Sequence, residues 1–250
     1  MSRYLNAPPK SASLLDMFSE VEFSEMEPAL RVEQVGGAQV PILIFDLSCV
    51  LAHFLIEKAS RYRPDWSKAA TIYPGIWSDV PQGYESALLH IITPYIDQHY
   101  GLARLDMKKI FSCYAMAVTK KSELQINQRY PHYDSFNPRQ LAVVHYLCDE
   151  SFGGTGFYRH RPTGIELMTE AKFPDFMQSL KSDMDVNGIP AAEYSGGNSC
   201  FEQLLACEAK LGRLVIYPSA LLHAGLVNVE KNTELDPSKG RLTITSFIHY

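Results

Sequence analysis

The sequence has no apolar run that reaches the roughly 18 residues which a membrane-spanning helix requires. Its first residues, MSRYLNAPPK, also lack the apolar core of a secretory signal peptide. We therefore expect a protein that has no membrane partner and that resides in the cytoplasm.

Cysteines are few, and positive charges, 23 lysines and arginines against 28 acidic residues, are not clustered. The five cysteines, at positions 49, 113, 148, 200 and 207, form no Cys-X-X-Cys pair and no even set that would build a disulfide framework. This pattern predicts reduced thiols, as in a cytoplasmic protein. The formal net charge is −5 and there is no basic cluster, so we do not expect nucleic acid as a partner.

What is present is ordinary globular composition. The chain has 250 residues, of which 46% are hydrophobic and 20% charged, and this is enough to bury a sizeable core. No linker, repeat or low-complexity tract divides it. We expect a single domain over residues 1–250, in which 1–109 supports a β-rich core at 110–250. Nothing in the sequence indicates an oligomeric state.

The order of the predicted elements indicates an α+β fold. Residues 31–35 and 40–45 read as strands, 46–59 and 84–99 as helices, and 61–83 as a loop, with Pro94 kinking or splitting the second helix. Residues 11–18 are either a short helix or an arm, and 191–199 a loop. After residue 108, short apolar runs predict strands at 110–118, 124–128, 140–148, 157–160, 164–168, 212–217, 221–227 and 241–248. Residues 201–209 fit a helix or a strand. Helices followed by many short strands predict a β-sandwich or jelly roll, that is a double-stranded β-helix, in the C-terminal half.

Two polar residues follow the predicted strand at 124–128. His132 and Asp134 are two positions apart, and alternate side chains of a strand point to the same face. One imidazole and one carboxylate on one face are two-thirds of the facial triad that binds non-haem iron. His223 is the candidate for the third ligand. A single His-X-Asp arises often by chance, so the prediction depends on the three residues occurring together.

Arg241 adds a second kind of site. It opens the last predicted strand, and Thr243 lies two positions on, so both side chains share one face. A guanidinium beside a hydroxyl is a good receptor for a carboxylate. An iron site beside a carboxylate receptor is what a 2-oxo acid co-substrate requires.

These residues together resemble the iron(II)/2-oxoglutarate-dependent dioxygenases. The shared pattern of that superfamily is His-X-Asp, a distal His, and an Arg or Lys on the following strand, which here are His132, Asp134, His223 and Arg241. Residues 146–157 and 212–225 are similar to its prolyl-hydroxylase-like branch, and the whole chain resembles bacterial members. The likeness covers residues 110–250, with an enlarged loop at 228–240 to span the distance from His223 to Arg241.

The resemblance implies an enzyme that uses Fe(II) as cofactor with 2-oxoglutarate and O₂ as co-substrates. His132, Asp134 and His223 would hold the metal, and Arg241 with Thr243 would bind the far carboxylate of 2-oxoglutarate. Tyr146 either offers its hydroxyl to that carboxylate or packs in the core. Halogenating relatives lack the carboxylate ligand, so Asp134 favours hydroxylation, with a small molecule or a peptide side chain as substrate.

Two other functions fit the sequence less well. A cupin-like metal-binding or sensing module has no need of the Arg241–Thr243 receptor, and a structural β-domain has no need of the metal ligands. Elsewhere we expect His53 to be a core histidine and His160 to lie at a solvated strand end or on a substrate-facing wall. The helix that begins at Phe173 either covers a strand or acts as a lid.

Overall fold

The computed structural model describes residues 29–61, 66–69, 73–188, 200–228, 231 and 234–250. The predictions for 11–18 and 191–199 lie outside these residues. The strands are β1 Ala29–Val35, β2 Val40–Asp46, β3 Ser67–Lys68, β4 Gly75–Asp79, β5 Lys109–Ala117, β6 Gln140–Tyr146, β7 Gly153–His160, β8 Phe201–Glu208, β9 Arg213–Pro218, β10 His223–Val227 and β11 Leu242–His249. The helices are α1 Cys49–Arg61, α2 Tyr84–Tyr100 and α3 Phe173–Asn187. No helix in the described part of the chain is both long and apolar enough to cross a membrane.

The strands form two antiparallel sheets. The larger has the order β1-β2-β9-β6-β11-β5-β4-β3, and the smaller has the order β10-β7-β8. Buried side chains of the smaller sheet, such as Phe157 and Cys207, pack against Val144 and Val215 of the larger one. The molecule is therefore mostly an antiparallel two-layer β structure, as the sequence predicted in outline. The larger sheet also takes in four strands from the N-terminal segment.

Successive side chains of β11 point alternately to the two faces of the larger sheet. Leu242, Ile244 and Ile248 are fully buried against the helices. The residues that alternate with them, Thr243, Thr245, Phe247 and His249, line a cavity on the opposite face. This period of two follows from the pleat of a strand, and it places the helices and the cavity on opposite sides of the sheet.

Helices α1 and α2 cover the outer face of the larger sheet. Ser48 caps α1 by accepting a hydrogen bond from the backbone N–H of Val50, at 3.2 Å. Only one face of α1 is buried, and His53 on the other face is exposed, so the prediction of a core histidine was wrong. Helix α2 continues through Pro94 without being split.

The strand predicted at 124–128 was also wrong. The chain there forms two short 3₁₀ turns, Lys121–Glu123 and Ile126–Gln128. The Gln128 side chain accepts a hydrogen bond from the backbone N–H of Gln125 at 2.8 Å, and the Gln125 side chain caps the same turn in return. Such local side-chain bonds satisfy backbone groups that a strand would leave to a neighbour.

Three smaller differences concern the β segments. The region predicted as loop contains β3 and β4, and β4 pairs with β5 along its whole length. The ambiguous segment at 201–209 is strand β8, paired with β7. Residues 164–168 make only isolated bridges, at Ile165 and Leu167.

Candidate metal centre and its cavity

His132 and His223 are held together by their own backbones. The N–H of His132 donates to the carbonyl of His223 at 2.8 Å, and the N–H of His223 donates to the carbonyl of His132 at 2.8 Å. The Asp134 N–H donates to the carbonyl of Ser219, also at 2.8 Å. The His-X-Asp segment is therefore fixed to the start of β10 by an isolated bridge, and not by the strand that the sequence predicted.

This backbone pairing brings three side chains to one point. Nε2 of His132 lies 3.8 Å from Oδ1 of Asp134, and Nε2 of His223 lies 3.5 Å from Oδ2 of the same carboxylate. One ligand atom from each residue lies within 4.8 Å of the others. The two imidazole rings are 4.4 Å apart at their centroids.

The environment suits neutral imidazoles. Nδ1 of His223 is 2.8 Å from the carbonyl of Leu221, so it donates there and leaves the Nε2 lone pair facing Asp134. Burial lowers the pKa of His223 to about 4. Burial, together with the charge of His223, lowers the pKa of His132 to about 4. Neutral imidazole is the form that binds a metal.

The pKa of Asp134 is shifted upward, in contrast to the pKa values of the two histidines. Its side chain is 20% exposed, and burial raises the pKa of the carboxyl to about 6 although His132 opposes this. The Asp134 carboxylate lies beside two neutral imidazoles and has no ion pair with a lysine or arginine among the described residues, and a divalent cation would supply a positive partner. Two nitrogens and one oxygen form the donor set of a non-haem Fe(II) site, so the residues fit that metal.

The three ligands line a cavity of about 630 Å³ between the two sheets. The ring of Tyr217 packs on His223 with 4.8 Å between centroids and forms part of the wall. Tyr130 and Tyr133, which flank His132, line it as well. The volume lies within the range usual for small-molecule sites.

Arg241 and Thr243 line the same cavity. Arg241 is 5% exposed and donates from Nη2 to the carbonyl of Gly154 at 3.3 Å. Thr243 is buried, with its hydroxyl 3.3 Å from the carbonyl of Ala115. The structure therefore brings the predicted receptor and the predicted metal ligands into one space.

Tyr146 is placed differently. It is fully buried, and its hydroxyl lies 2.6 Å from that of Thr155, which itself lines the cavity. The Arg241 guanidinium lies over its ring, 5.9 Å from the centroid. Burial raises the pKa of Tyr146 to about 12.

Sequence reasoning did not assign several lining residues to the site. Tyr73 lies beside Thr243 and Arg241, and Lys109 and His249 lie at another end of the cavity. The alternation through Arg241 and Thr243 was a usable signal for Thr245, Phe247 and His249. Tyr73 gave no such signal because it precedes β4, in a segment predicted as loop.

His160 lies outside the site. It is fully buried, with Nδ1 2.7 Å from the Thr163 hydroxyl and its ring packed against Phe176 and Phe201. Both readings of this residue, as a solvated strand end and as a wall of the site, were wrong. Its contact with Phe176 helps attach α3 to the smaller sheet.

The chain is similar in structure to several solved proteins. One is SnoN, described as the non-heme alpha ketoglutarate dependent epimerase from nogalamycin biosynthesis, with 11% identity over 83% of this chain and 78% of that one, at a TM-score of 0.51. Another is HygX from Streptomyces hygroscopicus, solved with nickel and 2-oxoglutarate, with 10% identity over 84% of this chain and 83% of that one, at a TM-score of 0.48. At such identities the likeness to SnoN shows a shared fold.

Comparison by sequence gives two results. No curated protein matches it. Residues 26–248 match the family described as "Family of unknown function (DUF6445)", and the chain belongs to that family.

Proposed function

We propose that this protein is an Fe(II)/2-oxoglutarate-dependent oxygenase that hydroxylates a small molecule or a peptide side chain. One observation carries the proposal. The ligand atoms of His132, Asp134 and His223 converge within 4.8 Å in the same cavity that Arg241 lines with its buried guanidinium. The fold shared with SnoN is consistent with it.

The metal-binding role belongs to His132, Asp134 and His223. Bound iron would supply the redox chemistry by which O₂ and 2-oxoglutarate become succinate, carbon dioxide and one hydroxyl group on the substrate. The two backbone hydrogen bonds between His132 and His223 hold the main chain of both ligands side by side, so that their imidazoles project into the same space. The cavity that the three ligands line has room for a small molecule beside them.

The 2-oxoglutarate receptor is Arg241 with Thr243. The Arg241 guanidinium is held by the Gly154 carbonyl and the Tyr146 ring, so little side-chain freedom is lost on binding. A buried cation strongly favours a carboxylate partner. Tyr146 acts through Thr155, whose hydroxyl it holds at 2.6 Å at the wall of the same cavity.

The proposal extends to the β core, the branch of the superfamily, the location and the reaction type. We place the jelly-roll core at residues 110–250 and the chain in the prolyl-hydroxylase-like branch, on the residues given above. A cytoplasmic location fits its five free cysteines, four of them buried. Asp134 supports hydroxylation over halogenation, because a carboxylate occupies the position that a halide would need.

The test is an anaerobic titration of the purified protein with Fe(II) and then with 2-oxoglutarate. We expect the weak visible charge-transfer band of an iron–oxo-acid chelate, and its loss in His223→Ala. His53→Ala removes an exposed histidine and is the matched control. Admission of O₂ should then yield succinate in the wild type and not in Asp134→Ala.

Each outcome has a defined meaning. Iron binding without the band favours a metal-binding module and rejects the oxygenase. Absence of any divalent metal binding rejects both. A melting curve of each variant separates loss of a ligand from loss of the fold.

A further inference from the structure

The cavity has a second polar end. Across three neighbouring strands, His249 on β11 pairs with Lys109 on β5 and with Gln140 on β6. All three residues line the cavity. Direct cross-strand partners on one face have Cβ atoms about 4.5–5.5 Å apart, so these three side chains form one continuous polar row.

This row is remote from the Arg241 receptor. His249 is six positions beyond Thr243 on the same strand, which corresponds to about 20 Å at about 3.3 Å per residue. A molecule as small as 2-oxoglutarate, bound at Arg241 and at the metal ligands, is too short to reach His249 as well. The polar row is therefore available to a different molecule.

The row carries net positive charge. Among the described lining residues only Lys109, Asp134 and Arg241 have a fixed charge at neutral pH, and Asp134 belongs to the metal centre. No described carboxylate lies within ion-pair distance of the Lys109 ammonium. Burial and the charge of Lys109 lower the pKa of His249, which makes it a neutral hydrogen-bonding group beside the cation.

An aromatic surface lies next to the polar row. Phe111 and Phe247 are cross-strand partners two positions further along their strands. The Trp77 ring lies 6.2 Å from that of Phe111, and Phe111 is 46% exposed. Exposed aromatic side chains on the inner face of a sheet, next to polar groups, are typical of a ligand pocket.

The aromatic surface leads to the metal centre. Ala142 pairs with Phe247 on one side and with Tyr217 on the other, so these three residues share one row across the sheet. The Tyr217 ring packs on His223. A molecule bound by its acid group at Lys109 would lay its apolar body along this row, beside the metal ligands.

We propose that Lys109, His249 and Gln140 bind an anionic oxygen group, a carboxylate or a phosphate, of the primary substrate, whose apolar or aromatic part lies on Trp77, Phe111 and Phe247. This inference rests on the proposed oxygenase function and names its substrate class as an organic acid. It assigns the two cations of the cavity to two different molecules, Arg241 to the co-substrate and Lys109 to the substrate.

The test uses simple probes and needs neither iron nor turnover. The full-length protein is titrated with 3-phenylpropionate, phenyl phosphate and neutral 3-phenylpropionamide, and quenching of tryptophan fluorescence is followed. Trp77 is one of only two tryptophans and lines the cavity. The variants are Lys109→Gln, Arg241→Gln and Lys108→Gln. Lys108 is an exposed lysine that precedes β5 and does not line the cavity, so it controls for charge alone.

We expect the better of the two acids to bind about tenfold more tightly than the amide, the preference of one charge-assisted contact. Lys109→Gln should abolish this preference, whereas Lys108→Gln and Arg241→Gln should retain it. Whether the carboxylate or the phosphate binds more tightly identifies the acid group.

Equal binding of acids and amide, or absence of binding, overturns the inference. So does a preference that survives Lys109→Gln or disappears in Arg241→Gln. The result is independent of the iron and 2-oxoglutarate titration: a charge-transfer band without the acid preference rejects this subsite alone, and the reverse rejects the oxygenase alone.

Discussion

His132 and His223 exchange two backbone hydrogen bonds of 2.8 Å, although they are far apart in sequence. This bridge places the main chain of the two residues side by side, and their ring centroids lie 4.4 Å apart. Because both bonds are between backbone atoms, substitution of a ligand side chain removes neither the donors nor the acceptors of the bridge.

The first prediction concerns metal-linked stability. A divalent ion at about 100 times its dissociation constant should add about 2.7 kcal/mol to the free energy of unfolding. For a chain of this size that raises the melting temperature by about 5–10 °C. The increase should be seen in the wild type and in His53→Ala, and be absent in Asp134→Asn. An equal increase in Asp134→Asn would show that the metal binds elsewhere.

The second prediction concerns affinity for 2-oxoglutarate. Arg241→Gln removes a charge-assisted contact worth about 1.5–3 kcal/mol, so the dissociation constant from the charge-transfer titration should rise about 10- to 100-fold. Lys239→Gln is the matched control, since this exposed lysine pairs with Asp236 at 3.2 Å and does not line the cavity. A dissociation constant unchanged by Arg241→Gln would assign the carboxylate receptor to another residue.

The third prediction concerns acid stability. Asp46 on β2 accepts hydrogen bonds from Arg213 and Lys210, each at 2.7 Å, and the Arg213 bond is the main cause that lowers its pKa to about 2. A carboxyl with a depressed folded-state pKa stabilises the fold above its ordinary pKa of 3.8 and loses that effect as the pH falls toward 2.

Asp46→Asn should therefore cost about 1–2 kcal/mol at pH 7, allowing for solvent screening of a side chain that is partly exposed. The difference from wild type in urea-unfolding free energy should shrink between pH 4 and pH 2. Asp106→Asn, which breaks an exposed pair with Arg139, should change little at any pH. A cost at Asp46 that persists at pH 2 would contradict the electrostatic explanation.

The fourth prediction concerns the contact between β4 and β5. A Cβ added at Gly75 would lie 1.9 Å from the carbonyl oxygen of Met116, so the two strands would have to separate. Gly75→Ala should cost about 3 kcal/mol and lower the melting temperature. Gly164→Ala meets no atom within 4 Å and has only the strain of its positive φ, about 1 kcal/mol. Equal melting temperatures for the two variants would contradict the close approach of Gly75 to the Met116 carbonyl.

The local order of apolar, polar and glycine residues was enough to predict most helices and strands, because it reflects which side chains are buried. The apolar run at 40–45, the alternation along β11 and the glycines after β1 correspond to two strands and a turn in the structure. It failed at 124–128, where mutual capping by Gln125 and Gln128 forms a turn in a segment of strand-like composition. It also missed β4, which depends on pairing with β5.

The sequence by itself determined which chemistry is available: two imidazoles, a carboxylate and a guanidinium in an order that resembles one superfamily. Only the tertiary structure decided that His132, Asp134 and His223 meet, that Tyr146 contacts Thr155, and that Lys109 shares a cavity with Arg241. These relations join residues from separate strands and turns. Strand pairing and sheet packing set such distances, and no local spacing of residues in the sequence encodes them.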